Sequence, residues 1–143
     1  MNKLIKLIIS TDLQSPIANF GILLFRVAVA TELIVVHGLK KIGIGVATPE
    51  VIPNPFGFPG AFNDFVAIAA NVYLPILVIV GLFTRLAAIP AIIVTATGYF
   101  IMHGNDTLIE RDIPFMYSVA MLTIVMVGGG KYSLDGYLTK KFN

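Results

Sequence analysis

Seven residues whose side chains can carry charge, exchange protons or form hydrogen bonds stand within or beside long apolar stretches of this sequence. They are Arg26, Glu32, His37, Asp64, Asn71, Tyr99 and His103. An ionisable group in the apolar interior of a bilayer is costly, so its presence there is a functional hypothesis. A guanidinium would bind a carbonyl or developing negative charge, whereas imidazoles and carboxylates would move protons.

The histidines and the absence of cysteine limit this chemistry further. His37 and His103 are the only histidines, and the chain has no cysteine. Without thiols, disulfides, iron–sulfur clusters and thiol redox chemistry are excluded. Histidines on separate helices of a bundle can ligate haem or a metal. Since neither histidine stands in a local two-ligand motif, hydrogen bonding or proton handling at the mouth of a pocket is the preferred interpretation, and no intrinsic metal or haem is expected.

The composition leaves too few polar side chains to cover a water-facing surface. Of the 143 residues, 57% are hydrophobic and 13% charged, and the mean hydropathy is +0.87. Soluble domains average about 25% charged residues. The net charge of +2 does not indicate nucleic acid as a partner, because the basic residues are scattered at the ends of apolar stretches, as in membrane proteins. The expected partner is a lipid bilayer.

Four apolar stretches have lengths near that of a membrane-spanning helix, which needs about 20 apolar residues. They cover residues 17–36, 61–82, 86–102 and 113–128. The sequence therefore predicts an all-α integral membrane protein, a single membrane domain over residues 1–143 folded as a bundle of four transmembrane helices. The first stretch is expected to stay in the mature chain, because Asp12 before it and Arg26 within it do not fit a signal peptide.

The basic residues and the connections set the expected orientation. Lysines and arginines lie before the first span, between the second and third, and after the fourth, whereas the opposite loops mix both signs. Positive residues favour the cytoplasmic side, so both termini are expected there. The proline-rich segment 38–60 then becomes an outer loop that cannot form regular helix or a central strand. Residues 3–9 fit either a short interfacial helix or a frayed basic tail.

The depths of the polar residues agree with one another. With a helical rise of about 1.5 Å per residue, Arg26 lies near the midplane of the first span, and Asn71 is level with it on the second. The remaining candidates lie between the midplane and the outer surface. We therefore expect a polar pocket that faces outward, with Arg26 as its floor and the two histidines as its rim. In the alternative interpretation, Arg26 and Glu32 only bond neighbouring helices.

Sets of short motifs stand at the ends of the predicted spans. They are LFR at residues 24–26 followed by HGLKK at 37–41, PFGFPG at 55–60, GLFTRLAA at 81–88 and GGGKYSLD at 128–135. In this order they resemble the DoxX/DoxD family of small bacterial membrane proteins, over nearly the whole chain. The resemblance implies a four-helix bundle in the bacterial cytoplasmic (inner) membrane. It also implies membrane redox chemistry, since relatives include the small subunit of a thiosulfate:quinone oxidoreductase.

The resemblance and the expected pocket together favour a quinone- or quinol-binding membrane subunit of a redox system. Arg26 would bind a quinone carbonyl, and Asn71 would orient the headgroup. His37, with Glu32 or Asp64, would carry protons. Electrons would come from a redox partner protein or a diffusible substrate. Two alternatives stay open: a non-catalytic anchor or scaffold for a redox complex, and a small-solute permease that works as a homo-oligomer.

Overall fold

The computed structural model describes Ile8 and residues 13–142. Apart from Ile8, the interfacial helix considered for residues 3–9 lies outside the described residues. Within residues 13–142 the chain forms five helices and no strand. Their bounds are α1 Pro16–Ile42, α2 Gly60–Val80, α3 Thr84–Met102, α4 Asp112–Val127 and α5 Leu134–Phe142. The prediction of an all-helical fold is therefore confirmed for this part of the chain.

Three of these helices, α1 to α3, are long and apolar enough to cross a membrane, whereas the apolar α4 has 16 residues. The predicted stretches correspond in position to α1 to α4. One boundary of the prediction was wrong, because α1 does not end before the proline-rich segment. It continues through a π-helical turn, Leu33–Gly38, and a 3-10 turn, Leu39–Ile42. The proline-rich loop therefore begins at Gly43, whose φ of 79° ends the helix.

Local signals explain the helix ends. Ser15 caps α1 by accepting a hydrogen bond from the Ala18 amide, and Pro16 occupies the first helical position, where its missing N–H costs nothing. Gly81 ends α2 in the left-handed conformation, with φ of 74°. A short turn then leads directly into α3, so α2 and α3 run antiparallel as neighbours.

Small residues bring the helices together, and large apolar residues face outward. Ala87, Ala88 and Ala91 are buried on α3 and belong to the same core cluster as Met121 and Ile124 of α4. Small side chains let helix backbones approach closely, which is the usual way that helices pack in membranes. Many large apolar side chains remain exposed on the outside of the bundle. A surface of this kind is suited to lipid, and the chain is a helical, multi-pass membrane protein.

The antiparallel helices give the bundle two ends. The histidine end holds the end of α1, the start of α2, the end of α3 and the start of α4, with His37 and His103. The opposite end, named the arginine end because the Arg26 guanidinium lies there, holds the other helix termini and α5. The arginine end is closed by hydrogen bonds between its segments, whereas the histidine end leaves a cavity between the helices.

Asp135 of α5 closes the arginine end by capping α3 from a distant part of the chain. Its carboxylate accepts hydrogen bonds from the Phe83 amide (2.8 Å), the Thr84 amide (2.8 Å) and the Thr84 hydroxyl (2.7 Å). The first amides of a helix have no partner within it, so a buried α3 start needs such an acceptor. Phe83 has φ of 46°, unusual for a residue with a side chain. The Asp135 carboxylate holds this turn in place.

Candidate functional site

A cavity of about 470 Å³ lies at the histidine end, between the four long helices and beneath the proline-rich loop. Cavities of roughly 300–1,000 Å³ with mainly apolar walls and a few polar groups are typical of small-molecule sites. The polar residues of its wall are His37, Lys41, Glu50, Asn63, Asn71, Thr95, Thr97, His103 and Tyr117. A partly polar cavity thus exists in the half of the bundle where the sequence placed one, and ligand binding there stays a prediction.

Helices α1, α2 and α3 each contain a π-helical turn, and all three of these turns in the described chain reach the cavity. They are Leu33–Gly38, Ala69–Tyr73 and Gly98–Met102. Each contributes at least one residue to the cavity wall. A π turn accommodates an extra residue and redirects the side chains around it, and such turns are frequent at functional sites. Their convergence marks the cavity as the candidate site of the bundle.

The π turns of α1 and α2 approach closely because of a glycine and a proline. A Cβ atom at Gly38 would lie 2.5 Å from the carbonyl oxygen of Asn71 and 2.8 Å from Val72 Cγ2. A larger residue would clash there. Pro75, buried in α2, has no N–H to donate to the Asn71 carbonyl one turn earlier. The cavity is therefore built where regular helical hydrogen bonding is interrupted.

Asn71 lies deep in the cavity wall and is only 4% exposed. Its Nδ2 donates a hydrogen bond of 2.7 Å to the Ala67 carbonyl of the preceding turn. None of the described residues donates to its Oδ1, which is not sealed off by protein atoms. An acceptor without a protein partner therefore faces the cavity.

A histidine and a tyrosine face each other in the wall of the same cavity. The rings of His37 on α1 and Tyr117 on α4 meet edge to face, with centroids 5.3 Å apart and planes at 88°. Both side chains are half-buried and line the cavity. Imidazole and phenol groups can each donate or accept a hydrogen bond. Tyr117 was not among the predicted site residues, and its proximity to His37 had no signal in the sequence.

A salt bridge fixes the proline-rich loop over the cavity. Glu50 of the loop binds Lys41 at 3.0 Å and Lys40 at 3.2 Å, and its backbone amide donates to the Lys40 carbonyl. Lys41 also donates to the carbonyl of His37 at 3.0 Å. Burial raises the pKa of Glu50, but hydrogen bonds and charge from Lys41 and Lys40 outweigh it, so the pKa lies below its usual value of 4.5.

Acidification is expected to loosen this loop. With a lowered pKa in the folded state, the Glu50 carboxylate contributes stability that is fully present above pH 4.5 and is lost as the pH falls through the lowered pKa. The Glu50 side chain is 36% exposed, so the effect is screened and stays below about 1 kcal/mol. Hydrogen exchange of the loop amides at pH 7 should be faster in Glu50→Gln than in wild type. The two should converge once the pH falls below the lowered pKa of Glu50.

The control is Asp64→Asn, which alters an exposed carboxylate that forms no ion pair with a described residue. Loop exchange in this variant should follow wild type at every pH. Equal loop exchange in wild type and Glu50→Gln at pH 7 would contradict the assignment of the salt bridge as the loop anchor.

The structure brings three of the seven predicted site residues to the cavity. Asn71 lies in its wall, and His37 and His103 are both part of its lining. His103 is exposed, and its Nδ1 lies 2.7 Å from an Asp106 carboxylate oxygen. Among the described residues, no group of three or more histidine and carboxylate side chains is placed to hold a metal ion.

Three other predicted site residues lie outside the cavity wall. Glu32 and Asp64 are exposed on the outside of α1 and α2. Tyr99 is half-buried beside the cavity, where the guanidinium of Arg111 lies 4.9 Å from the centre of its ring. The predicted depth along a helix does not say to which side of that helix a residue points.

Arg26 is not the floor of the cavity, contrary to the prediction. Its Nη1 donates to the Val78 carbonyl at 2.7 Å and to the Ile79 carbonyl. Its Nη2 donates to the Tyr132 carbonyl at 2.6 Å. The side chain is 1% exposed. The last carbonyls of a helix lack partners within it and attract cations, so Arg26 joins the end of α2 to the segment before α5. The alternative interpretation, bonding between helices, describes this residue.

The fold and the cavity define a helical, multi-pass membrane protein with a partly polar cavity at one end. The chain belongs to the DoxX family, which matches residues 21–104, from within α1 to the end of α3. It is also 30% identical over 95 residues to an uncharacterised protein of Haemophilus influenzae (strain ATCC 51907 / DSM 11121 / KW20 / Rd). That similarity covers 63% of each chain, less than two thirds of the relative's length. No solved structure matches the chain.

Proposed function

We propose that this protein binds a quinone-class ring molecule in the cavity at the histidine end, as the membrane subunit of a redox system. The observation that carries the proposal is the convergence of three π-helical turns, within the described residues, on a cavity of about 470 Å³. Because π turns are frequent at functional sites, their convergence supports a ligand site in this cavity.

The cavity wall suits an amphipathic ring. Its apolar residues, such as Val66, Ile93 and Val94, offer van der Waals contact to a ring and its substituents. Asn71, His37 and Tyr117 offer polar atoms to the ring oxygens. The apolar outer surface of the bundle places the cavity within reach of molecules dissolved in the bilayer. In this proposal Arg26 has no contact with the ligand, and a partner protein supplies or removes the electrons.

The proposed arrangement in the membrane has four spans, with α4 as the fourth, and both termini in the cytoplasm of a bacterium whose inner membrane holds the protein. The apolar character of α4 supports the fourth span. The lysines and arginines near the arginine end, including Arg85, Lys131 and Lys140, support its cytoplasmic placement. The cavity then opens toward the outer half of the membrane.

The test fills the cavity and asks whether a bound quinone is lost. Ala67 is buried in the cavity wall, so Ala67→Phe would occupy part of the space. The matched control is Ala28→Phe, which makes the same change at an exposed position of α1 away from the cavity. Each protein is purified from its bacterial membrane in mild detergent, and the extracted lipids are analysed for quinone by chromatography and mass spectrometry.

Quinone is expected at close to one equivalent with wild type and Ala28→Phe, and at less than a tenth of that with Ala67→Phe. Thermal unfolding of all three proteins checks that the substitutions leave the fold intact. Wild-type protein that carries no quinone, and takes up none when a short-chain quinone or quinol is added, would refute the proposal. A stoichiometric partner protein without any bound quinone would instead favour the scaffold alternative.

A further inference from the structure

The acceptor oxygen of Asn71 restricts which ring oxygen can lie beside it. One N–H of the Asn71 Nδ2 group donates to the Ala67 carbonyl at 2.7 Å. A flipped amide would set two acceptors against each other, so this carbonyl fixes the orientation of the side chain. Oδ1 has no donor among the described residues. With the residue 4% exposed, a molecule that fills the cavity must itself supply the hydrogen bond.

The threonine and serine hydroxyl groups in this part of the wall have already used their protons. Thr97 donates to the Ile93 carbonyl of its own helix at 2.8 Å. Thr95 and Ser118 bond each other at 2.8 Å and also reach carbonyls of their own helices. Each hydroxyl has a single proton to donate. These three groups therefore do not supply the donor that Asn71 lacks, and a ligand hydroxyl can.

We propose that the cavity selects the reduced form of its ring ligand, a quinol, whose hydroxyl donates to Asn71 Oδ1. The inference rests on the proposed function and specifies the redox state of the ligand. Quinone oxygens only accept hydrogen bonds, so a quinone in the same pose would leave two buried acceptors facing each other. His37 and Tyr117 can each donate or accept, so they do not distinguish the two forms.

The experiment compares a short-chain benzoquinone with its own quinol, which differ only by two hydrogen atoms. The full chain is reconstituted in nanodiscs at pH 7 without oxygen, and binding is measured by equilibrium dialysis against empty nanodiscs. The quinol should bind wild type more tightly by on the order of tenfold, the usual effect of leaving a buried acceptor unpaired. In Asn71→Leu, which has a similar volume and no acceptor, the ratio should fall to about one.

The matched control is Thr123→Val, which changes an exposed residue of α4 outside the cavity wall whose hydroxyl proton is already used by its own helix. This variant should keep the wild-type preference for quinol. A wild-type ratio near one, or a preference for the quinone, overturns the inference and leaves the proposed function in place. If the preference persists in a folded Asn71→Leu, the assignment to Asn71 is wrong. If Asn71→Leu does not fold, the wild-type ratio alone decides. Binding of neither form refutes the proposed function itself.

Discussion

Replacement of Arg26 by leucine is expected to lower the free energy of unfolding by about 3–5 kcal/mol, the usual cost of removing one partner from a buried charged network. The change leaves the carbonyls of Val78, Ile79 and Tyr132 without their donor in a dry part of the bundle. Each unsatisfied carbonyl costs about 1–3 kcal/mol, partly relieved by local rearrangement. Arg26→Lys should retain only part of the stability, because one ammonium cannot reproduce the planar fork of a guanidinium. Unfolding in mixed micelles with increasing denaturing detergent measures both.

Arg85→Leu is the control, because Arg85 also approaches carbonyls at the arginine end, at 3.3 and 3.5 Å. These bonds are longer and partly exposed, so Arg85→Leu should lower the free energy of unfolding by less than about 1 kcal/mol. The amount of bound quinone in Arg26→Leu distinguishes a structural role of Arg26 from a role in ligand binding. An Arg26→Leu protein with wild-type stability and no bound quinone would show that Arg26 belongs to the binding site, against the geometry. Reduced stability with quinone still bound is the expected outcome.

Replacement of Asp135 by alanine is expected to cost about 2–4 kcal/mol, since one carboxylate caps the start of α3 and also holds the Thr84 hydroxyl. The Phe83 and Thr84 amides would lose their acceptor while remaining buried or half-buried. The left-handed conformation of Phe83 would lose its main restraint at the same time. Asp135→Asn, which keeps one acceptor oxygen, should fall between alanine and wild type. The same unfolding titration reports the result.

Asp112 provides the matched control, because it is also an acidic residue at the start of a helix but is exposed. Asp112→Ala should change stability by no more than about 1 kcal/mol. The charges of Asp135 and Arg26 interact, so the double variant should lose less than the sum of the two single losses. Strict additivity, or an Asp135→Ala protein as stable as Asp112→Ala, would contradict an interlocked arginine end.

Much of the fold follows from the sequence because membrane helices obey simple length rules. About 20 apolar residues are needed to cross a bilayer, and the four predicted stretches coincide in position with α1 to α4. The end of α1 was harder to predict. His37 to Ile42 are helical although the segment is rich in glycine and lysine. The close contact of Gly38 with α2 stabilises the continued helix. Such tertiary contacts cannot be deduced from local composition.

The depth of a residue along a helix does not give the direction of its side chain, and the Arg26 side chain extends away from the predicted pocket. Side chains on a helix lean toward its N-terminus. The N-terminus of α1 lies at the arginine end, so a long side chain at position 26 extends away from the cavity and meets the last carbonyls of α2. The Tyr132 carbonyl that completes the interaction and the α5 helix that follows it lie far along the chain. Only the three-dimensional packing brings them to Arg26.

The cavity residues show a similar limit. His37, Asn71 and His103 could be named because polar residues are rare in this sequence, and all three line the cavity. Tyr117 could not be singled out as a site residue in the same way, since a tyrosine in an apolar helix is common near a membrane surface. The π turns could not be predicted either, because a helical wheel assumes 3.6 residues in every turn. Each π turn changes which residues face inward, and Glu32 and Asp64 face outward.

The packed and hydrogen-bonded arginine end closes the bundle on the side opposite the cavity. A molecule that enters at the histidine end meets a floor of packed side chains, beyond which Arg26 and Asp135 tie α1, α2, α3 and α5 together. A continuous passage would require several buried hydrogen bonds to break together. Vectorial transport of a solute through one copy is therefore disfavoured. A molecule bound in the cavity therefore enters and leaves on the side of the histidine end.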